Sequence, residues 1–234
     1  MTIRGVLFDK DGTLIDVNGT WVPIYRRLLC EQFDIDVPQA EALMQRVGYN
    51  PATDGFFANS ILASGTTRQL VENWWPDLDH AGMQDKLRMI DVDYAPLSKS
   101  LLKPLMPLAP LLHELKAMKL RVGVATNDSH YSAINHMTHL GVVDLFDAVI
   151  AADTVPVPKP SGDMIRKFAK SMGLKAAEIA MVGDNSHDME EARNGGAGLA
   201  IAVLTGNAAH DEIAHLADHT VASIAELPSL LRSL

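Results

Sequence analysis

Cysteine is all but missing: Cys30 is the only one in 234 residues. That excludes an internal disulfide and suits a reducing, cytoplasmic setting. Basic residues are outnumbered, 20 Lys and Arg against 29 Asp and Glu, giving a formal net charge of −9. There is no basic stripe of the kind a nucleic-acid backbone requires, so no nucleic-acid partner is expected. Long apolar runs are absent as well. Nothing approaches the roughly 20 residues that cross a bilayer, and the first apolar run starts at Ile3, so neither a membrane span nor a leader is expected. Repeats and low-complexity segments are also lacking. What is present is a hydrophobic content of 47%, enough to build a buried core in one large domain or two modest ones.

The chain is organised around its first apolar run. Ile3 to Phe8 is β-branched and apolar and reads as a buried strand, and it stops abruptly at Asp9-Lys10-Asp11-Gly12-Thr13-Leu14. Ligands of open α/β sheets collect beyond the carboxyl ends of strands, so two carboxylates there suggest a site. If the chain stays extended, Asp9 and Asp11 leave on one side, and one can attack while the other carries a proton. The same residues also suit a plain strand-exit turn, with Asp bonding its own backbone and Gly at positive φ.

After Leu14 the pattern passes through Asn18-Gly19-Thr20, read as a turn, into helical segments at Trp21 to Phe33, Pro38 to Tyr49, Thr67 to Trp75 and Ala81 to Ile90. No strand-like run falls between Trp21 and about Asp93. Pro96, Pro104, Pro107 and Pro110 mark a return to a strand–helix alternation. Its strands are Leu120 to Ala125, Asp147 to Ala151, Glu178 to Val182, Gly198 to Leu204 and the edge run His219 to Ala222, and Ile224 to Leu230 reads as a last short helix. Ser161 is the expected N-cap of a helix running to Met172. The order predicts an α/β, Rossmann-like, doubly wound parallel sheet built from residues 1–16 and 99–234, with residues 17–98 inserted as an α-helical cap domain. Asn18-Gly19-Thr20 and the stretch from Pro96 to Pro104 are the expected hinges of that cap.

Asp9-Lys10-Asp11-Gly12-Thr13-Leu14 resembles the first motif of the haloacid dehalogenase superfamily, Asp-x-Asp-Gly-Thr-Leu. The other motifs of that family have counterparts in order. Thr126, at a strand tip, matches the second, Lys159 the third, and Gly183-Asp184-Asn185-Ser186-His187-Asp188 the fourth. On the residues alone, Lys159 could be an ordinary surface lysine and Asp184 and Asp188 could cap a helix. The resemblance implies that Asp9 attacks phosphorus to form an aspartyl-phosphate and that Asp11 donates and later accepts a proton. It implies that Thr126, Asn127 and Lys159 bind the substrate, with Thr126 and Lys159 contributing to catalysis. It also implies Mg²⁺ held by Asp9, Asp184, Asp188 and the backbone carbonyl of Asp11, as hard oxygen ligands suit that ion.

Dehalogenases proper and phosphonatases lack an acid at the position of Asp11, which leaves phosphate monoesters. The likeness is to the phosphoglycolate phosphatase-like group, with phosphoglycolate or a sugar phosphate as candidate substrates. A phosphomutase of the β-phosphoglucomutase type and a non-catalytic binding protein are the alternatives. Lys10 is expected to point away from the carboxylates, and Asp128 has no assigned purpose. Most of the histidines, a set that includes His130, His136, His139 and His187, are expected to be surface or boundary residues, and Trp74 and Trp75 cap core rather than pocket lining.

Overall fold

The computed structural model describes residues 2–93 and 95–234, with the side chains of residues 95–97 outside the description. Met1, the first residue of the expected core segment, also lies outside it. Strand β1 (Gly5–Phe8) is followed by α1 (Val17–Arg27), α2 (Val37–Arg46), the short strands β2 (Tyr49–Asn50) and β3 (Gly55–Phe56), α3 (Ile61–Ser64), α4 (Thr67–Trp74), α5 (His80–Arg88) and α6 (Ala95–Leu101). The chain continues through α7 (Leu108–Ala117), β4 (Arg121–Thr126), α8 (His130–His139), β5 (Ala148–Ala151), α9 (Asp163–Met172), β6 (Ile179–Gly183), α10 (Ser186–Gly195), β7 (Leu199–Val203), α11 (His210–Ile213), β8 (His219–Val221) and α12 (Leu227–Ser233).

Six strands form one sheet in the order β5-β4-β1-β6-β7-β8, every pair parallel. Period-two alternation sorts its side chains. Val6, Phe8, Val122, Val124, Ala180 and Val182 pack on one face with Leu111, Leu112 and Leu115 of α7. Leu7, Ala125, Ile179 and Met181 face the other way, onto Met164, Ile165 and Phe168 of α9 and Met189 of α10. Strands buried on both faces read as continuous apolar runs, which is why these were recognisable as strands. The central position of β1 between β4 and β6 brings three strand ends together, with Phe8, Val124 and Val182 in register.

The helical stretch after β1 has a separate apolar core around Val22, Leu28, Leu29, Met44, Leu70 and Trp74. Among the described residues no helix is long and apolar enough to cross a membrane.

Several expectations are corrected. Asn18, Gly19 and Thr20 are not a turn. They lie inside α1, which starts at Val17 because Asp16 caps it, accepting from the Gly19 N–H at 2.9 Å. The expected hinge there is therefore helical. The second expected hinge, Pro96 to Pro104, is helical to Leu101 and begins among the side chains outside the description. A two-residue antiparallel ladder, Tyr49–Asn50 against Gly55–Phe56, interrupts the stretch in which no strand was expected. Two-residue strands are too short to leave a periodicity. Ser161 is not the N-cap of α9: Gly162 is, at φ 87°. Gly162 has no side chain to cap with, and Glu191 of α10 performs that role from outside.

Candidate active site

Strand β1 ends at Phe8 and the backbone bends at Lys10, and Asp9 and Asp11 both line one cleft beyond the strand. Asp9 is 7% exposed and turns toward the ends of β6 and the loop before α9. There Lys159 Nζ lies 2.5 Å from Asp9 Oδ1 and 2.7 Å from Asp188 Oδ1. Asp184 follows β6 directly, and Asp188 lies in the first turn of α10. Oxygens of Asp9, Asp184 and Asp188 lie within 4.8 Å of one another, and all three residues are buried.

Such a cluster is electrostatically costly by itself. Burial, with Asp188 and Asp11 adding repulsion against the attraction of Lys159, pushes Asp9 up to about 7. Asp184 is pushed well above the carboxylate range by burial and then by Asp9 and Asp188. Burial works against the charge of Lys159, but Asp188 and Asp9 outweigh it and hold the ammonium charged beyond the ordinary lysine range. Three buried carboxylates against one lysine form an oxygen donor set with excess negative charge, which a hard divalent cation would neutralise.

The loop after β1 is shaped for this approach. Gly12 adopts φ 86°, and a Cβ there would fall 2.3 Å from Asp184 Oδ2. Thr13 Oγ1 donates to Asp184 Oδ1 at 3.2 Å, and Thr205 Oγ1 donates to the Gly12 carbonyl at 2.6 Å.

Asp11 lines the same cleft but has other partners. Its Oδ2 accepts from Lys10 Nζ at 2.5 Å and its Oδ1 from the Trp21 indole N–H at 2.6 Å. This corrects the expected direction of Lys10, which is fully buried and turns back to bridge Asp11 and Asp128, the latter at 3.3 Å. Burial opposes the Lys10 charge, yet Asp11 and Asp128 raise it above the usual lysine range.

Asp128 thus gains a purpose as the second anchor of Lys10. Despite burial, Lys10 and then His136 hold it below the usual range, aided by Ser132 Oγ at 2.7 Å. His136 is no boundary residue but fully buried, hydrogen-bonded to Ser98 Oγ at 3.0 Å, and burial with the nearby Lys10 charge pulls it down to about 4. No periodicity marks these residues, because long-range pairing rather than helix spacing brings them together.

Thr126 ends β4, 1% exposed, and its Oγ1 accepts from the Asp128 N–H at 3.1 Å. The Asn127 amide accepts from the Lys159 N–H at 3.1 Å and donates to the Ser64 carbonyl at 2.9 Å, joining the lysine loop to the helical insertion. Trp74 is buried in the core of that insertion, donating to the Leu43 carbonyl at 3.1 Å. Neither it nor Trp75 lines the cleft over the carboxylates. Trp21 does, and the sequence reading missed it.

The loop carrying Lys159 is held from α10. Glu191, 0% exposed, accepts from the backbone N–H groups of Gly162 at 2.6 Å, Met164 at 2.9 Å and Ile165 at 3.2 Å. These are the orphan donors of the α9 N-terminus. Glu191→Ala strands all three, and we expect it to cost about 3 kcal/mol or more of stability. A fall in the urea midpoint at unchanged slope measures this, and an unmoved midpoint would contradict it.

The chain belongs to the haloacid dehalogenase-like hydrolases, matching that family over residues 6–202. It is 26% identical over 239 aligned positions, covering 99% of this chain and 98% of the relative, to a glyceraldehyde 3-phosphate phosphatase of Methanocaldococcus jannaschii. It is 28% identical to a phosphoglycolate phosphatase of Cereibacter sphaeroides, with 98% of each chain covered. Among solved structures, a predicted phosphatase from Clostridium acetobutylicum superposes with a TM-score of 0.74 at 22% identity over 100% of both chains. That likeness carries the fold.

Proposed function

We propose that this chain is a Mg²⁺-dependent phosphatase that hydrolyses a small phosphate monoester through an aspartyl-phosphate on Asp9. The observation that carries the reading is the convergence of Asp9, Lys159, Asp184 and Asp188 from three separate segments into one buried cluster. Asp9, Asp184 and Asp188, with the Asp11 carbonyl, would hold the cation, which supplies charge neutralisation at the phosphoryl oxygens.

Asp9 then attacks phosphorus in line and the P–O bond to the leaving alcohol breaks. Asp11 gives that alkoxide a proton and afterwards takes one from the water that cleaves the aspartyl-phosphate. The cation and Lys159 together would keep Asp9 anionic, and Lys159, with Thr126 and Asn127, faces the transferring group. Residues 17–98 serve as a cap domain over a core of residues 1–16 and 99–234, excluding bulk water during the reaction. The lone Cys30 fits work in the cytoplasm.

Hydrolysis should stop with a chelator and return with Mg²⁺, while Ca²⁺ should support it poorly. Ca²⁺ is larger and accepts more ligands, so it can draw in both oxygens of Asp9 and leave none to attack. Release of inorganic phosphate from p-nitrophenyl phosphate is the readout, and full activity in chelator would overturn the proposed site. Efficient isomerisation of a sugar 1-phosphate with little phosphate release would identify a sugar hydroxyl, not water, as the second acceptor.

A further inference from the structure

If the phosphoryl group sits at Asp9, the leaving alcohol must occupy the rest of the cleft, so this inference rests on the proposed phosphatase reading. The cleft encloses about 980 Å³, open solvent at its mouth included. Six carboxylates line it, and three of them, Asp9, Asp184 and Asp188, form the buried cluster. The other three, Asp11, Asp91 and Asp128, remain for the leaving-group side.

Cations are scarce there. Among the described residues lining the cleft, Lys159 and His187 are the basic ones. Lys159 is bound to Asp9 and Asp188, and the His187 ring Nδ1 is engaged with Asn185 Oδ1 at 3.1 Å. Lys10 lies beneath the surface with no exposure and is already shared by Asp11 and Asp128. Beside these groups the helical stretch after β1 adds apolar lining, the Trp21 and Tyr25 rings, stacked at 5.4 Å, together with Leu62, Leu70 and Ile90.

We infer that the leaving alcohol of the natural substrate carries no second anionic group: it is an uncharged alcohol with an apolar face, unlike glycolate. A carboxylate in this part of the cleft would meet Asp91, with both nearby lysines, Lys159 and Lys10, already engaged among the described residues. It would lose its hydration with only hydroxyl and amide donors, and no unengaged lysine or arginine among the described lining residues, to replace it, and a charge taken from water without an opposite charge costs far more than an uncharged hydroxyl does. An alcohol with an uncharged hydroxyl loses much less and can lay its carbon face on the ring wall.

The test uses the Mg²⁺-loaded full chain with p-nitrophenyl phosphate as reporter and two matched pairs of competitors. Glycerol 3-phosphate differs from 3-phosphoglycerate, and ethyl phosphate from 2-phosphoglycolate, by carrying no carboxylate. We expect the uncharged member of each pair to compete with an inhibition constant at least about tenfold lower, the scale of discrimination set by one unpaired polar group. Burial and then Asp128 push Asp91 up to about 7, so in assays above that pH Asp91→Asn should narrow the ratio by removing a charge the carboxylate would face.

Equal or tighter competition by the carboxylate members, or no competition by any of the four, overturns the inference while leaving the phosphatase reading intact. Failure to hydrolyse the reporter at all, with Mg²⁺ present, overturns the phosphatase reading and the inference with it.

Discussion

Asp9→Asn is expected to abolish phosphate release, by about 10⁴-fold or more, with the fold retained. The amide is no comparable nucleophile. It also removes one of the two carboxylates that Lys159 Nζ touches, at 2.5 Å, and one member of the buried acidic cluster. Stability should move the other way in metal-free protein.

A free aspartate titrates near 3.8, whereas burial and like charge push Asp9 up to about 7. Between those pH values the folded state holds a proton that the unfolded state has released, so stability falls as pH rises through the window. The variant lacks that loss. Melting in chelator at neutral pH should therefore give Asp9→Asn a Tm equal to or above that of the wild type. A variant that still turns over would defeat the mechanism, and one that is unfolded would defeat the electrostatic account.

The second large effect belongs to Asp11→Asn, which should lower turnover of alkyl phosphates by roughly 10²–10⁴-fold, the usual worth of a positioned acid and base. Binding should survive. The backbone carbonyl is unchanged, and the amide oxygen can still accept from Trp21 Nε1 or Lys10 Nζ, which now hold the carboxylate at 2.6 and 2.5 Å. With p-nitrophenyl phosphate the leaving group needs little protonation, so the first step should suffer less than the second. The aspartyl-phosphate should then accumulate and be trapped by acid quenching as phosphorylated protein. Undiminished turnover of an alkyl phosphate by Asp11→Asn would remove Asp11 from the proton transfers.

The site divides between residues announced by local pattern and residues recruited from a distance. Asp9, Thr126 and Asp184 each follow an apolar strand, so a one-dimensional reading could find them: burial on both faces leaves a continuous apolar run, and its end marks the mouth of the sheet. Lys159 and Asp188 were recognisable only by likeness to known motifs, since a single lysine or a helix-capping aspartate carries no signal of its own. Glu191 was visible in the sequence but not its task. Capping normally comes from the residue before a helix, and here the acceptor stands on α10, beside the helix it caps, 29 residues along the chain from Gly162.

The sequence by itself determined the strand–helix alternation, the helices that follow β1 and the grouping of acidic residues at strand ends, because each follows from side-chain periodicity or the geometry of adjacent residues. Tertiary structure alone decided where β1 sits among the strands, and with it which strand ends meet. It alone turned Lys10 back onto Asp11 and Asp128, drew Trp21 from α1 to the same carboxylate, and buried His136 beside them. These partners are up to 118 residues apart, as Lys10 and Asp128 are. The pairing of β1 with β4 brings most of them together, and no local propensity encodes that choice.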